Sequence, residues 1–138
     1  MNKTKHIKIL FLILACLCIF SSCSSSPGWV TDKTEIIIGE SEKFSREEIE
    51  QAIEVVKNQG DENSEVTLLL VRYDESRSKV VIDSYMDRKN IIVLFSDFKT
   101  YGEHAVLNPY TEYTDYQWKL IRENENSAWA IYDKGFIL

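Results

Sequence analysis

In this 138-residue chain, chemistry would have to start from cysteine, histidine, or closely spaced serine and carboxylate side chains. The three cysteines, Cys16, Cys18 and Cys23, all lie near the N-terminus. Nothing downstream of them forms a disulfide, a thiolate nucleophile or a cysteine-ligated metal. The two histidines are His6, in the same N-terminal stretch, and His104. A histidine acting as base or ligand needs an orienting partner, and nothing is spaced to orient His104. Ser96 and Asp97 invite a Ser–His–Asp reading with His104, but adjacent residues on a strand point to opposite faces. That triad is rejected, and Asp97 is read as hydrogen-bonding nearby backbone. Glu47, Glu50, Glu54 and Lys57 read as the solvated face of a helix rather than a metal cluster. No glycine-rich phosphate loop, His-x-x-x-His pair or EF-hand spacing occurs. The sequence therefore predicts no catalytic residue, no metal and no cofactor.

What it offers instead is aromatic. Tyr101, Tyr110, Tyr113 and Tyr116 cluster near Trp118, interspersed with Asn108, Thr111, Glu112, Thr114 and Asp115. Tyr101, Tyr110 and Tyr113 lie within the one long irregular stretch, Lys99 to Asp115, and Tyr116 and Trp118 follow it. Tyrosine combines apolar area with a polar tip and is favoured on recognition surfaces, and long loops in compact domains are often functional. These five residues form the candidate binding surface. The structural alternative is that Asn108-Pro109 sets a turn and the rings cover an open end of a sheet.

The N-terminus specifies where the rest of the chain lives. Lys3, Lys5 and Lys8 precede an uncharged apolar run, Ile9 to Phe20, which is followed by small residues and Cys23. This is the layout of an export signal, and the run is too short to cross a bilayer, which takes about 20 apolar residues. Phe20-Ser21-Ser22-Cys23 resembles the bacterial lipobox, whose cysteine receives a diacylglycerol and becomes the mature N-terminus. Ile13-Leu14-Ala15-Cys16 is a competing box, but it leaves a short apolar region before it and an apolar run after it. Ser24 to Gly28 then reads as a flexible tether. The expected organisation is a lipoprotein signal peptide over 1–22, a lipidated Cys23 with tether and lead-in over 23–43, and one domain over 44–138. Secretion without a lipid is the alternative. Loss of the three signal lysines would take the formal net charge from −6 to about −9. Such an acidic domain repels phosphate backbones, so nucleic acid is an unexpected partner.

The elements that would position the aromatic residues follow from periodicity. Ser45 with Glu48 forms a capping box, with Phe44 and Ile49 at staple positions. Ile49, Ala52, Ile53 and Val56 make one apolar helical stripe, and Gly60 stands where a helix commonly stops. Val66 to Tyr73, Lys79 to Tyr85, Ile91 to Phe98, Tyr116 to Glu123 and Ala128 to Asp133 read as strands. Asp74 to Ser78 reads as a hairpin connection. Trp29 to Ser41 reads as an edge strand or an extended lead-in. Leu120, Trp129 and Ile131 are assigned to the core. The predicted class is α+β, with one amphipathic N-terminal helix packed on a four- to five-stranded antiparallel meander sheet.

The blocks SREEIEQAIEVVKN, LLVRYDE, IIVLFSDF, LNPYTEYTDYQWKLIREN and AWAIYDKGF resemble those of short, uncharacterised lipoproteins of Gram-positive bacteria. The likeness spans most of Phe44 to Phe136. Those relatives carry a longer glycine-rich insert at Tyr101 to His104 and a tryptophan at the place of Lys134. The helix-then-sheet order is also similar to cystatin-like and NTF2-like folds. The resemblance implies membrane attachment through the N-terminal diacylglycerol and brings no activity with it. The expected function is a non-enzymatic binding or accessory module at the cell envelope, meeting an envelope protein or another extracellular ligand. The alternatives are a small-ligand binder or enzyme with an NTF2-like pocket at His104, lined also by Tyr85 and Tyr101, and an immunity-type protein that binds a secreted toxin.

Overall fold

The computed structural model describes residues 28–60, 65–82 and 90–136. The expected signal segment, Cys23, its tether up to Pro27, and Tyr85 lie outside these residues. Chain order is β1 (Glu35–Ile38), α1 (Arg46–Lys57), β2 (Val66–Tyr73), α2 (Glu75–Val81), β3 (Ile91–Thr100), β4 (Glu112–Ile121) and β5 (Ala130–Gly135). The strands form a single sheet in the order β1-β2-β3-β4-β5. The class is α+β.

Helix α1 begins where its sequence can satisfy free backbone donors. The Ser45 hydroxyl accepts from the Glu48 N–H at 3.2 Å, and the Glu48 carboxylate accepts from the Ser45 N–H at 2.7 Å. Ile49, Ala52, Ile53 and Val56 form its buried stripe. Each of the larger aliphatic side chains there contributes about 1.5–3 kcal/mol by leaving water. Glu48 also reaches across the domain: its carboxylate meets the buried Arg122 guanidinium at 2.5 Å, and that guanidinium lies 4.4 Å over the Trp129 ring. The helix ends at Asn58. Gly60 does not serve as a left-handed cap, since none of the described glycines has positive φ. It is small because Trp29 lies on it; a Cβ there would fall 1.8 Å from the indole.

Two parts of the expected architecture need correction. The sheet is mixed, because β1 pairs with β2 in parallel, from Glu35 opposite Leu70 to Ile38 opposite Tyr73. Connectivity is the reason: α1 carries the chain back along the sheet, and a helical crossover returns the next strand parallel. The remaining pairs are antiparallel. The described residues also hold two helices. The segment read as a connection and the start of a strand forms α2, because Asp74 caps it by accepting from the Arg77 N–H at 3.1 Å. Glu75 then pairs with Lys79 one turn on, at 2.9 Å.

The two helices serve opposite roles against β3. The main core joins the α1 stripe to Leu68, Val71, Ile92, Leu94, Trp118 and Leu120, closed by Trp29, Phe44 and Trp129, with Ile131 partly buried against it. On α2, the Ser78 hydroxyl donates to the Val93 carbonyl at 2.9 Å, and the Arg77 guanidinium lies 4.2 Å over the Phe95 ring. Every residue from Ile91 to Ser96 is buried, as its unbroken apolar run suggests for a strand covered on both faces.

Candidate functional site

The site is assembled by an irregularity in the sheet. Ser96 pairs with Tyr116, yet Phe98 pairs with Tyr113, so Thr114 and Asp115 together face the single residue Asp97. Asp115 occupies the left-handed region at φ 60. Its N–H donates to the Asp97 carboxylate at 2.9 Å. Its own carboxylate is bridged by Arg72 and by Arg77, the latter at 2.9 Å. Burial raises the pKa of the Asp115 carboxyl, but the hydrogen bonds from Arg77 and Arg72 outweigh burial and hold it below the usual range. Such a bulge inserts one residue and re-aims the side chains beyond it. Tyr113 and Tyr116, three apart, therefore both meet Phe98, with ring centroids at 5.3 and 5.4 Å.

A continuous aromatic cluster grows from this pair. Phe136 lies 4.9 Å from Tyr116 and 5.5 Å from Tyr113, and Trp118 lies 5.2 Å from Tyr116. Trp29 closes the cluster from the other end of the chain, 6.2 Å from Phe98 and 6.3 Å from Trp118. Both indoles are locked by their N–H groups: Trp118 donates to the Ser96 hydroxyl at 2.8 Å and Trp29 to the Val56 carbonyl at 3.2 Å. Against these rings opens a groove of about 530 Å³, with Val66, Val106, Leu107, Gln59 and Gly60 completing its walls. Its volume is that of an ordinary small-molecule site, and such sites are mostly apolar with few polar groups. Here those groups are the Tyr116 hydroxyl and Lys134, whose ammonium lies 5.4 Å from the Trp118 ring. Burial first, and the Asp133 charge second, push the Tyr116 hydroxyl up, so it remains protonated at neutral pH.

The five residues proposed from sequence do not share one exposed surface. Trp118 is 4% exposed and belongs to the core as well as to the groove wall. Tyr116 lines the groove half-buried; Tyr113 packs against Phe98 and takes a hydrogen bond from the Asn108 N–H at 2.7 Å. Tyr101 and Tyr110 stand outside the groove, 44% and 73% exposed. Sequence reasoning missed Trp29, Phe98 and Phe136. Only the spacing of aromatic residues on β3 and β4 hinted at Phe98, and nothing local marked Trp29. His104 lines none of the described grooves, and its buried Nε2 has no hydrogen-bond partner among the described residues.

A second concavity, of about 1010 Å³, lies beyond the carboxyl ends of β1 and β2. It is charge-lined, with apolar walls as well. Arg46, Arg72 and Lys79 share it with Glu40, Glu42, Asp74 and Glu75. The Glu75 carboxylate occupies the turn before α1, accepting from the Ser41 hydroxyl at 2.6 Å and from the Glu42 and Lys43 N–H groups at 2.9 and 3.3 Å. Hydrogen bonds from Ser41 and Lys79 bring Glu75 down to about 2.

Among the described residues, no group of three or more His, Cys, Asp and Glu side chains is placed to hold a metal ion. No described helix is long and apolar enough to cross a membrane. No protein family, curated protein sequence or solved structure matches the chain.

Proposed function

We propose that this chain is a lipid-anchored extracytoplasmic binding module, non-enzymatic, that receives its partner in the aromatic groove at the Trp29 end of the sheet. The observation that carries the reading is the groove itself, walled by Trp29, Phe98, Tyr116, Trp118 and Phe136 and left open by the side chains of the described residues. The apolar wall that the groove leaves open to water is favourable for a ligand to cover. The N-terminal sequence supports the location, through the export signal and the lipobox-like Cys23, which would carry the diacylglycerol. The resemblance to short lipoproteins of Gram-positive bacteria supports it as well. Trp29 stands only six positions after Cys23. A chain of that length spans at most about 20 Å, so a lipidated Cys23 would hold the groove close to the membrane. An NTF2-like pocket at His104 has no comparable observation in its favour.

Two measurements test the reading. Metabolic labelling with a fatty-acid precursor, followed by membrane fractionation, compares the native protein with Cys23→Ser. Label and membrane retention should both disappear in the variant, and persistence of either refutes the anchor. Crosslinking capture in intact cells compares the native protein with Phe136→Asp. A discrete adduct lost in the variant is expected; an adduct equally strong in both removes the groove from the reading.

A further inference from the structure

We infer that the groove takes a free fatty acid, with the chain lying along Trp29, Phe98, Trp118 and Phe136 and the carboxylate held by Lys134. This deepens the binding reading above and rests on it. The first argument is the chemistry of the wall. Of its twelve residues, only Gln59, Tyr116 and Lys134 have polar side chains, and the Gln59 amide already donates to the Val55 carbonyl at 3.3 Å. A bound peptide or sugar would press amides or hydroxyls against rings that cannot hydrogen-bond them, and each such group left unsatisfied is costly. An acyl chain has no polar group to leave unsatisfied.

The second argument is charge. The domain is acidic, yet the mouth of this groove has a cation that forms no ion pair among the described residues: Lys134 stands over Trp118 at 5.4 Å. Its sequence neighbour Asp133 is engaged by Lys119 at 3.2 Å. A cation resting on an aromatic wall is placed to take an anionic head while the wall takes the tail. The third argument is access. Val106 is 90% exposed and Phe136 43% exposed, which makes the mouth itself apolar. The short span from Cys23 to Trp29 would keep that mouth near a bilayer, the natural reservoir of single-chain amphiphiles.

The test uses the full chain carrying Cys23→Ser, which takes no lipid of its own, so the answer is independent of whether Cys23 is acylated. Tryptophan emission is followed during titration with saturated fatty acids brominated along the chain. Trp29 and Trp118 line the groove, whereas Trp129 lies against Phe44 at 5.7 Å and supplies the unquenched remainder. Saturable quenching at one ligand per chain is expected. Affinity should rise about fourfold for each added CH₂ until the groove is full. Lys134→Glu should weaken binding about fivefold, and Phe136→Asp should abolish it. Tyr132→Ala, an exposed β5 change outside the groove, should have no effect. Circular dichroism verifies that each variant is folded. Absence of saturable quenching overturns the inference. So does quenching that survives Phe136→Asp, an unchanged affinity in Lys134→Glu, or a response to a brominated lysophospholipid without one to the fatty acid. If in-cell capture through Phe136 persists while the fatty acid fails, the ligand class falls and the binding reading stands.

Discussion

The two concavities of this domain differ in what the chain has left undone. The charge-lined cleft beyond β1 and β2, which also has apolar walls, is the larger, at about 1010 Å³ against about 530 Å³ for the aromatic groove. Its bonding capacity is nevertheless largely used internally. Glu75 fills the turn at Ser41 to Lys43, Lys79 holds its other oxygen at 2.9 Å, and Arg46 pairs with Glu50 at 3.0 Å. In the groove, two indoles and three further rings line space that no side chain of the described residues fills. Size alone does not mark a site; unspent interaction does. An internal carboxylate acting as ligand turns a cleft into a joint between α2 and the loop before α1.

The contrast can be broken by substitution, beginning with the most severe change. Trp118→Ala removes a ring that belongs to both the core and the groove wall, and should lower unfolding free energy by about 3–5 kcal/mol in urea denaturation. A loss under about 1 kcal/mol would make Trp118 a surface cover rather than a shared wall. Glu75→Gln exchanges an ionised acceptor for a neutral one and should cost about 2 kcal/mol, with no change at the groove. The pH dependence sharpens the same point. Glu75 in the folded state titrates at about 2, below its ordinary 4.5. Its contribution is therefore complete above the ordinary value and is lost as pH falls through about 2. A melting-temperature series in acid should fall less steeply for Glu75→Gln than for the native protein, and equal slopes would show that the joint is not electrostatic.

Smaller effects test the frame around the groove. Asp115 holds φ 60 and the Arg72 and Arg77 pairs together. Asparagine tolerates that backbone and alanine does not, so Asp115→Ala should be about 1 kcal/mol less stable than Asp115→Asn by calorimetry. Tyr110 also has positive φ, at 53, and is exposed. Tyr110→Gly should therefore raise stability, by about 0.5–1 kcal/mol, and leave the groove intact. A marked loss of stability would show that the exposed loop supports the rings after all.

Where the sequence was legible, the signal was local. The Ser45–Glu48 pair lies within one turn, so its reciprocal hydrogen bonds could be read from spacing. The apolar Ile91 to Phe98 run likewise reads as a strand, and Leu120 and Trp129 are buried as assigned. Helix α2 was misread because Val80, Val81 and Ile82 look like a strand, while the decisive features are a cap at Asp74 and the Glu75–Lys79 pair. Parallel pairing of β1 was missed because a four-residue strand does not specify its neighbour or direction.

The groove shows the same division. Sequence by itself determined which rings exist and that β4 alternates through Tyr116, Trp118 and Leu120; the local turn contact expected of Asp97 is instead a bond across the sheet. Only the tertiary structure decided that Asp97 would receive the Asp115 N–H, that the resulting bulge would bring Tyr113 to the same side as Tyr116, and that Trp29 would arrive from 89 residues away to face Trp118. The physical reason is range. Caps and periodicity depend on neighbours along the chain, whereas a bulge and a cavity depend on which strands meet and what space their side chains leave between them.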